Sequence, residues 1–186
     1  MIGYAFCGSF CTLSPSLAAL RSLLTAGWEV QPIMSETVYT TDTRFYKAAD
    51  LVREVEALCG RPVIHTIVEA EPLGPKNPLE YLIIAPCTGN SLAKMAHGIT
   101  DTAVTMAAKA HMRTGRPLLL APASNDAMSA NLQNLSALSL RKGVYFVPLA
   151  QDDPINKPYS LVSDFSRLEE AFAAMREGRQ LRPLFW

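Results

Sequence analysis

Tyr81-Leu82-Ile83-Ile84-Ala85-Pro86-Cys87-Thr88-Gly89-Asn90-Ser91, continuing through Leu92, Met95, Ala96 and Ile99 to Asp101, decides the fold. It reads as a fully apolar strand stopping at Pro86, a small polar loop, and an amphipathic helix whose apolar residues recur at i, i+3, i+4 and i+7. A loop of this kind lies at the carboxyl end of a buried strand. Ligands of open α/β sheets sit there, because free backbone N–H groups and a helix N-terminus both favour an anion.

Outward from that stretch the chain alternates strands and helices. Ile2 to Cys7 is a short apolar strand, followed by Gly8-Ser9-Phe10-Cys11-Thr12 and a helix with Leu13, Leu17, Leu20 and Leu24 on one face. With a second strand from Trp28 to Met34, the opening is a right-handed βαβ unit. Its turn holds one glycine where a dinucleotide fingerprint has three, so the sequence argument for NAD is absent. A phosphate can still dock on Gly8, Ser9 and the helix N-terminus, although a tight turn alone also explains Gly8.

Ser35 to Phe45 is a long polar loop holding Arg44, and its hydroxyls and guanidinium suit a phosphate or carboxylate. Ser, Thr and Asp there are equally ordinary caps for the next helix, whose Ala48, Leu51, Val52, Val55 and Cys59 share a face. Pro62 to Ile64 reads as a third strand with His65 at its end. Glu69 to Pro78 carries three prolines and a glycine and is expected as a loop projecting from a sheet edge or over the site. Thr102 starts a helix that sets His111 among apolar residues, the place of a satisfied buried histidine rather than a catalytic one.

Arg116 to Ala121 is the next strand, and Pro122-Ala123-Ser124-Asn125-Asp126-Ala127-Met128 its loop, an echo of the central stretch. A mainly apolar helix with Leu132, Leu135, Leu138 and Leu140, a last strand from Val144 to Leu149, a charged turn from Gln151 to Pro158 and a closing helix complete the order. The apolar tail, Leu181 to Trp186, is expected to pack on the domain or on a neighbouring subunit. Six strand signals alternating with helices predict one domain, residues 1–186: a doubly wound three-layer αβα fold with a mostly parallel six-stranded sheet, Rossmann-like or flavodoxin-like.

Composition narrows the partners. Lys+Arg and Asp+Glu number 17 each, which leaves no general electrostatic attraction to nucleic acid or an anionic membrane. Neither a leader nor a membrane-spanning run is read, so a cytoplasmic chain is expected. Four cysteines without CxxC spacing are expected reduced, and no zinc-ligand spacing is present, so no metal is assigned. Cys87 reads as a small buried residue, since no histidine is placed to activate it.

Ala85-Pro86-Cys87-Thr88-Gly89-Asn90-Ser91-Leu92-Ala93-Lys94-Met95-Ala96-His97-Gly98-Ile99-Thr100-Asp101 resembles the signature of the flavin-containing cysteine decarboxylase superfamily, roughly A-P-A-S-A-N-T-L-A-K-x-A-x-G-x-x-D. That resemblance implies a flavoprotein fold and an FMN held by Gly8, Ser9, Ser35, Thr88, Gly89, Asn90, Ser91, Ala108, Ser124 and Asn125. It also implies a homo-oligomer, a trimer or a multiple of one. Thr43-Arg44-Phe45, Ala70 to Lys76, Asn125-Asp126-Ala127, Gln151 to Pro154 and Lys157-Pro158 resemble the branch of the superfamily that makes dipicolinate, pyridine-2,6-dicarboxylate, in spore-forming bacteria.

What this likeness implies is an oxidoreductase subunit in the mother cell that takes part in oxidising dihydrodipicolinate. NAD(P) would be the electron acceptor, bound by a separate A subunit. Arg44 and Lys76 are candidates for the substrate carboxylates, and His65 is a candidate base where the decarboxylases keep their catalytic histidine. The decarboxylases' P-x-M-N-x-x-M-W motif is replaced here by Pro122 to Met128, without the tryptophan and with the asparagine shifted. Two further readings stand beside this one: a non-catalytic flavoprotein-like scaffold for the A subunit, and an FMN-dependent decarboxylase of cysteine-type substrates.

Overall fold

The computed structural model describes residues 1–186 except Pro75, Asn77 and Pro78. In chain order come β1 (Ile2–Phe6), α1 (Leu13–Thr25), β2 (Val30–Met34), α2 (Glu36–Thr40), α3 (Ala48–Cys59), α4 (Ile67–Ala70), β3 (Tyr81–Thr88), α5 (Gly89–His97) and α6 (Ala103–Met112). They are followed by β4 (Leu118–Ser124), α7 (Leu132–Ser139), β5 (Val144–Phe146), β6 (Leu149–Ala150), β7 (Leu161–Ser163) and α8 (Leu168–Arg176).

One sheet joins the strands in the order β2-β1-β3-β4-β7-β6, with β5 also on β4. The pairs β2–β1, β1–β3, β3–β4 and β4–β5 are parallel. The order 2-1-3-4-5 therefore reverses between β1 and β3, which is the topological switch point of a flavodoxin-like sheet. Side chains alternate across it: Ile83 and Ala85 of β3 enter the core under α1, α3 and α8, while Leu82, Ile84 and Cys87 enter the core under α5, α6 and α7. Both faces are covered, so the strands are apolar throughout.

Three expectations are corrected. Neither Ala-Pro pair ends its strand: β3 runs to Thr88 with α5 starting at Gly89, and β4 runs to Ser124. A shift in register between Ile84 and Cys87 accommodates Pro86, and beyond it Cys87 pairs with Pro122 and Thr88 with Ala123. Pro62 to Ile64 is reduced to a single bridge, Ile33 to Ile64, because its proline lacks a ladder donor. The expected strand from Val144 to Leu149 divides into β5 and β6, and β7, unforeseen, pairs antiparallel with both β6 and the end of β4. The sheet thus has seven strands rather than six.

The first part of the Pro-rich segment, expected as a projecting loop, is packed on the domain. Its first residues form the end of α4 and a 3-10 turn, Glu71–Leu73, and Gly74 lies so close to the Ala110 carbonyl that a Cβ would collide with it. Pro75, Asn77 and Pro78 fall outside the described residues. Likewise the polar loop after β2 opens with the short helix α2. In α7 only Leu135 and Leu138 are buried among the expected leucines, whereas Leu132 and Leu140 are exposed.

Candidate functional site

Every strand of the parallel core sends its following segment to one edge, and at that edge a cavity of about 720 Å³ opens over β1, β3 and β4. Gly8 to Thr12 line it after β1, Arg44 and Phe45 from beyond α2, Thr88 to Asn90 at the β3–α5 junction, and Ala123 to Asp126 with Asn131 after β4. The β6–β7 hairpin closes the last side with Asp152, Lys157, Ser160 and Val162. This is the switch-point crevice in which such sheets bind ligands.

The β3–α5 junction is tied down from within. Thr88 caps α5, its hydroxyl accepting from Ser91 N–H at 3.2 Å and donating to Ser91 Oγ at 3.0 Å, and Ser91 Oγ donates to Cys7 Sγ at 3.1 Å. Ser91 thus faces inward and locks β3 to β1. Cys87 is fully buried, and burial pushes its thiol well above the usual range, which makes it the small packing residue expected rather than a nucleophile.

Across the junction stands a polar cluster from β4 and its continuation. Asp126 Oδ1 accepts from Ser124 Oγ and, at 2.9 Å, from Asn131 Nδ2, while Asn131 Oδ1 accepts from Asn134 Nδ2 at 2.9 Å. The Ser124 hydroxyl, and after it the Asn131 amide, hold the Asp126 carboxyl below the usual carboxylate range. The cluster sits directly over Gly89: a Cβ there would lie 2.5 Å from Asn131 Nδ2 and 3.0 Å from Asp126 Oδ1. Glycine is required at position 89 by this close approach.

On the outer rim, Lys157 Nζ pairs with Asp152 Oδ2 at 2.8 Å, and the ammonium, ahead of Ser160, lowers the Asp152 pKa. The Arg44 guanidinium lies 4.8 Å over the Phe45 ring and has no ion-pair partner among the described residues. The cavity lining therefore combines Arg44, the Lys157–Asp152 pair and the Asp126 carboxylate.

Of the residues singled out from sequence, Gly8, Ser9, Arg44, Thr88, Gly89, Asn90, Ser124 and Asn125 meet around this cavity. Ser35 lies just behind it. Its N–H donates to the Phe6 carbonyl at 3.0 Å, and its Oγ is buried without a hydrogen-bond partner. Ser91 is turned inward onto Cys7, and three further candidates are placed elsewhere. Ala108 is fully buried in α6 beneath the sheet. Lys76 is exposed in a turn at the opposite, amino-terminal edge, where Gly74 meets Ala110 and Leu79 meets Gly3. His65 stacks on Tyr39 with ring centroids 3.7 Å apart, outside the cavity lining. His111 is buried as expected, with Nε2 2.8 Å from the Pro117 carbonyl oxygen, but its Nδ1 has no hydrogen-bond partner and so the ring is only half satisfied.

Asn131 and Ser160 escape a reading of the sequence entirely. Asn131 directly precedes α7 and Ser160 follows a charged turn; their burial is the only distinguishing signal, and it is a property of the fold.

Fold and site together define a flavoprotein-type αβα domain with its ligand crevice at the β1/β3 switch point. The chain belongs to the Flavoprotein family, whose model matches residues 2–181. Within that family it is 42% identical over 183 residues to the dipicolinate synthase B subunit of Bacillus subtilis (strain 168), covering 98% of this chain and 92% of that protein. The crystal structure of the dipicolinate synthase B subunit from Bacillus halodurans C superposes with a TM-score of 0.91 at 38% identity, over 100% of this chain and 95% of the other. The FMN-dependent cysteine decarboxylase SpaF shares the fold, with a TM-score of 0.69 at 22% identity over 95% of each chain.

Proposed function

We propose that this chain is the B subunit of a dipicolinate synthase and takes part in oxidising dihydrodipicolinate to dipicolinate in a sporulating cell. Kinship with the Bacillus subtilis B subunit over nearly the whole length of both chains is the observation that carries the reading. In the reaction the dihydropyridine ring loses a hydride and a proton, and aromatisation makes the step favourable. NAD(P), bound by a partner A subunit, is the terminal acceptor, in keeping with the single glycine of the β1–α1 turn.

The residues at the crevice fit an FMN. Ser35 Oγ is a buried polar atom with no protein partner, beside the segment that leads into Gly8 and Ser9, as a phosphate or ribityl oxygen would require. Gly8, Ser9 and Ser35 would hold that end, and Thr88, Gly89 and Asn90 the ring end. When bound, a flavin supplies a two-electron acceptor at this edge. Arg44 and Lys157 line this crevice, which supports them as the groups that would bind the substrate carboxylates, whereas Lys76 does not line it.

Against the decarboxylase reading stands the replacement of the P-x-M-N-x-x-M-W motif by Pro122 to Met128, without the tryptophan and with the asparagine shifted. For the scaffold reading no feature of the crevice speaks. A homo-oligomer is supported by the half-exposed Phe185 and Trp186, at 55% and 61%, beside an apolar cleft lined by Leu132, Leu135 and Leu184.

The test is reconstitution. The chain with an A subunit oxidises dihydrodipicolinate while neither alone does so, and the isolated chain binds FMN. Arg44→Ala and Lys157→Ala each raise KM by about tenfold or more, the range of one charge-assisted hydrogen bond. Unchanged kinetics in both variants remove the carboxylate assignment, and absence of FMN binding moves the chain to the scaffold class.

A further inference from the structure

Asp126 is an unusual feature for a crevice that must take a dianion. Its Oδ1 is committed to Ser124 and Asn131, which fixes the carboxylate over Gly89, and no side chain among the described residues donates to Oδ2. The side chain lines the same cavity as Arg44 and the Lys157–Asp152 ion pair. The same carboxylate also lies over the first residue of α5, the place where a helix N-terminus would otherwise draw an anionic ligand group. The ligand atom that comes to this floor is therefore a hydrogen-bond donor, and the ligand's negative groups are directed to the rim.

Resting on the function proposed above, we propose that Asp126 is a specificity-determining residue that reads the ring nitrogen of a cyclic imine dicarboxylate. Arg44 carries no ion-pair partner among the described residues, Lys157 is held by Asp152, and Asp126 is a fixed acceptor; a ligand with two carboxylates and an N–H between them would use all three, its carboxylate taking the place of Asp152 on Lys157. A dihydropyridine ring offers that N–H, as the protonated imine or as its enamine tautomer. Dipicolinate, the aromatic product, has instead an in-plane nitrogen lone pair in neutral solution. Facing Asp126, a lone pair meets a fixed negative oxygen, so the residue that holds the substrate also disfavours the product and promotes its release.

Two stable ligands isolate this effect. Benzene-1,3-dicarboxylate has the carboxylates of dipicolinate at the same spacing, with C–H in place of the ring nitrogen. Calorimetric titration of the full chain in calcium-free buffer is expected to show benzene-1,3-dicarboxylate binding about tenfold tighter than dipicolinate, the range for a hydrogen-bonding mismatch with a charged group. Asp126→Asn keeps an oxygen for Ser124 and Asn131 and turns an amide toward the cavity, so it is expected to abolish or invert that preference.

The preference is a ratio, so a general loss of affinity in the variant does not disturb it. Equal binding of the two ligands by the unaltered chain, or a preference that survives Asp126→Asn, overturns the role of Asp126 and leaves the dicarboxylate crevice standing. Failure of the unaltered chain to bind either ligand overturns both this assignment and the carboxylate-binding reading on which it rests.

Discussion

Replacing Gly89 by alanine probes the junction on which the crevice depends. The added methyl would lie 2.5 Å from Asn131 Nδ2 and 3.0 Å from Asp126 Oδ1 and would also strike Ser124 Oγ. Ser124 and Asn131 are buried and mutually engaged through Asp126, so the clash cannot be relieved by swinging one side chain into solvent. Overpacking of a tight site costs about 1–3 kcal/mol, and displacement of a hydrogen bond to the charged carboxylate adds about 1.5 kcal/mol. Alanine's helix preference over glycine returns at most about 1 kcal/mol. The net expectation is a loss of about 2 kcal/mol, or about 4–8 °C in Tm for a chain of this size. Urea unfolding with linear extrapolation measures it. The cycle with Asn131→Ala should recover about 1 kcal/mol of coupling, because removing the amide makes room for the methyl. A Gly89→Ala protein as stable as the parent, or an additive double mutant, refutes the close approach.

Two further perturbations follow from buried polar groups. Ser16 Oγ donates to the Ala85 carbonyl at 2.6 Å, beside the register shift of β3, so Ser16→Ala should cost about 1–2 kcal/mol; a loss no larger than that of the exposed Ser14→Ala contradicts the assignment. Burial lowers the His111 pKa below its ordinary 6.5. Between the two values the unfolded chain binds more protons, so His111 stabilisation is complete above about pH 6.5 and is lost as pH falls toward the folded-state value. Urea midpoints at pH 5 and 7.5 should therefore differ less in His111→Leu than in the parent, and an unchanged difference rejects the linkage.

The alternation of apolar runs made the layered fold legible, because strands buried on both faces read as continuous Val, Ile and Leu segments. What misled was proline. Ala85-Pro86 and Ala121-Pro122 read as strand ends, whereas the shift between Ile84 and Cys87 lets both strands continue to Thr88 and Ser124. The two-residue β6 and three-residue β7 are too short for any periodicity to appear. They form because the last residues of β4, beyond the end of β5, still need partners for their backbone groups, and Leu161 and Val162 supply them. That residues near a strand end, such as Gly8, Ser9, Thr88 and Asn90, would gather at one crevice was legible in the sequence. The place of Lys157 was not, since only the antiparallel return of β7 brings its turn over β4. Lys76 is not brought to the crevice for the complementary reason: it precedes β3, and residues that precede a parallel strand lie at the opposite edge.

The central stretch itself changes meaning in this light. As sequence, the start of α5 is an anion site, since a free helix N-terminus carries partial positive charge. In the fold that charge faces a carboxylate from the same chain, fixed by Ser124 and Asn131. An internal carboxylate at a helix N-terminus is stabilising by about 0.3–1 kcal/mol, so Asp126 strengthens the junction while reversing the charge it offers to a ligand. On the reading proposed above, anion binding is left to the Gly8–Ser9 segment near the unpaired Ser35 hydroxyl and to Arg44 and Lys157, with the Asp126 acceptor in the same lining. Such a crevice separates ligands by what lies between their negative groups, a distinction that the number of positive charges around it could not make.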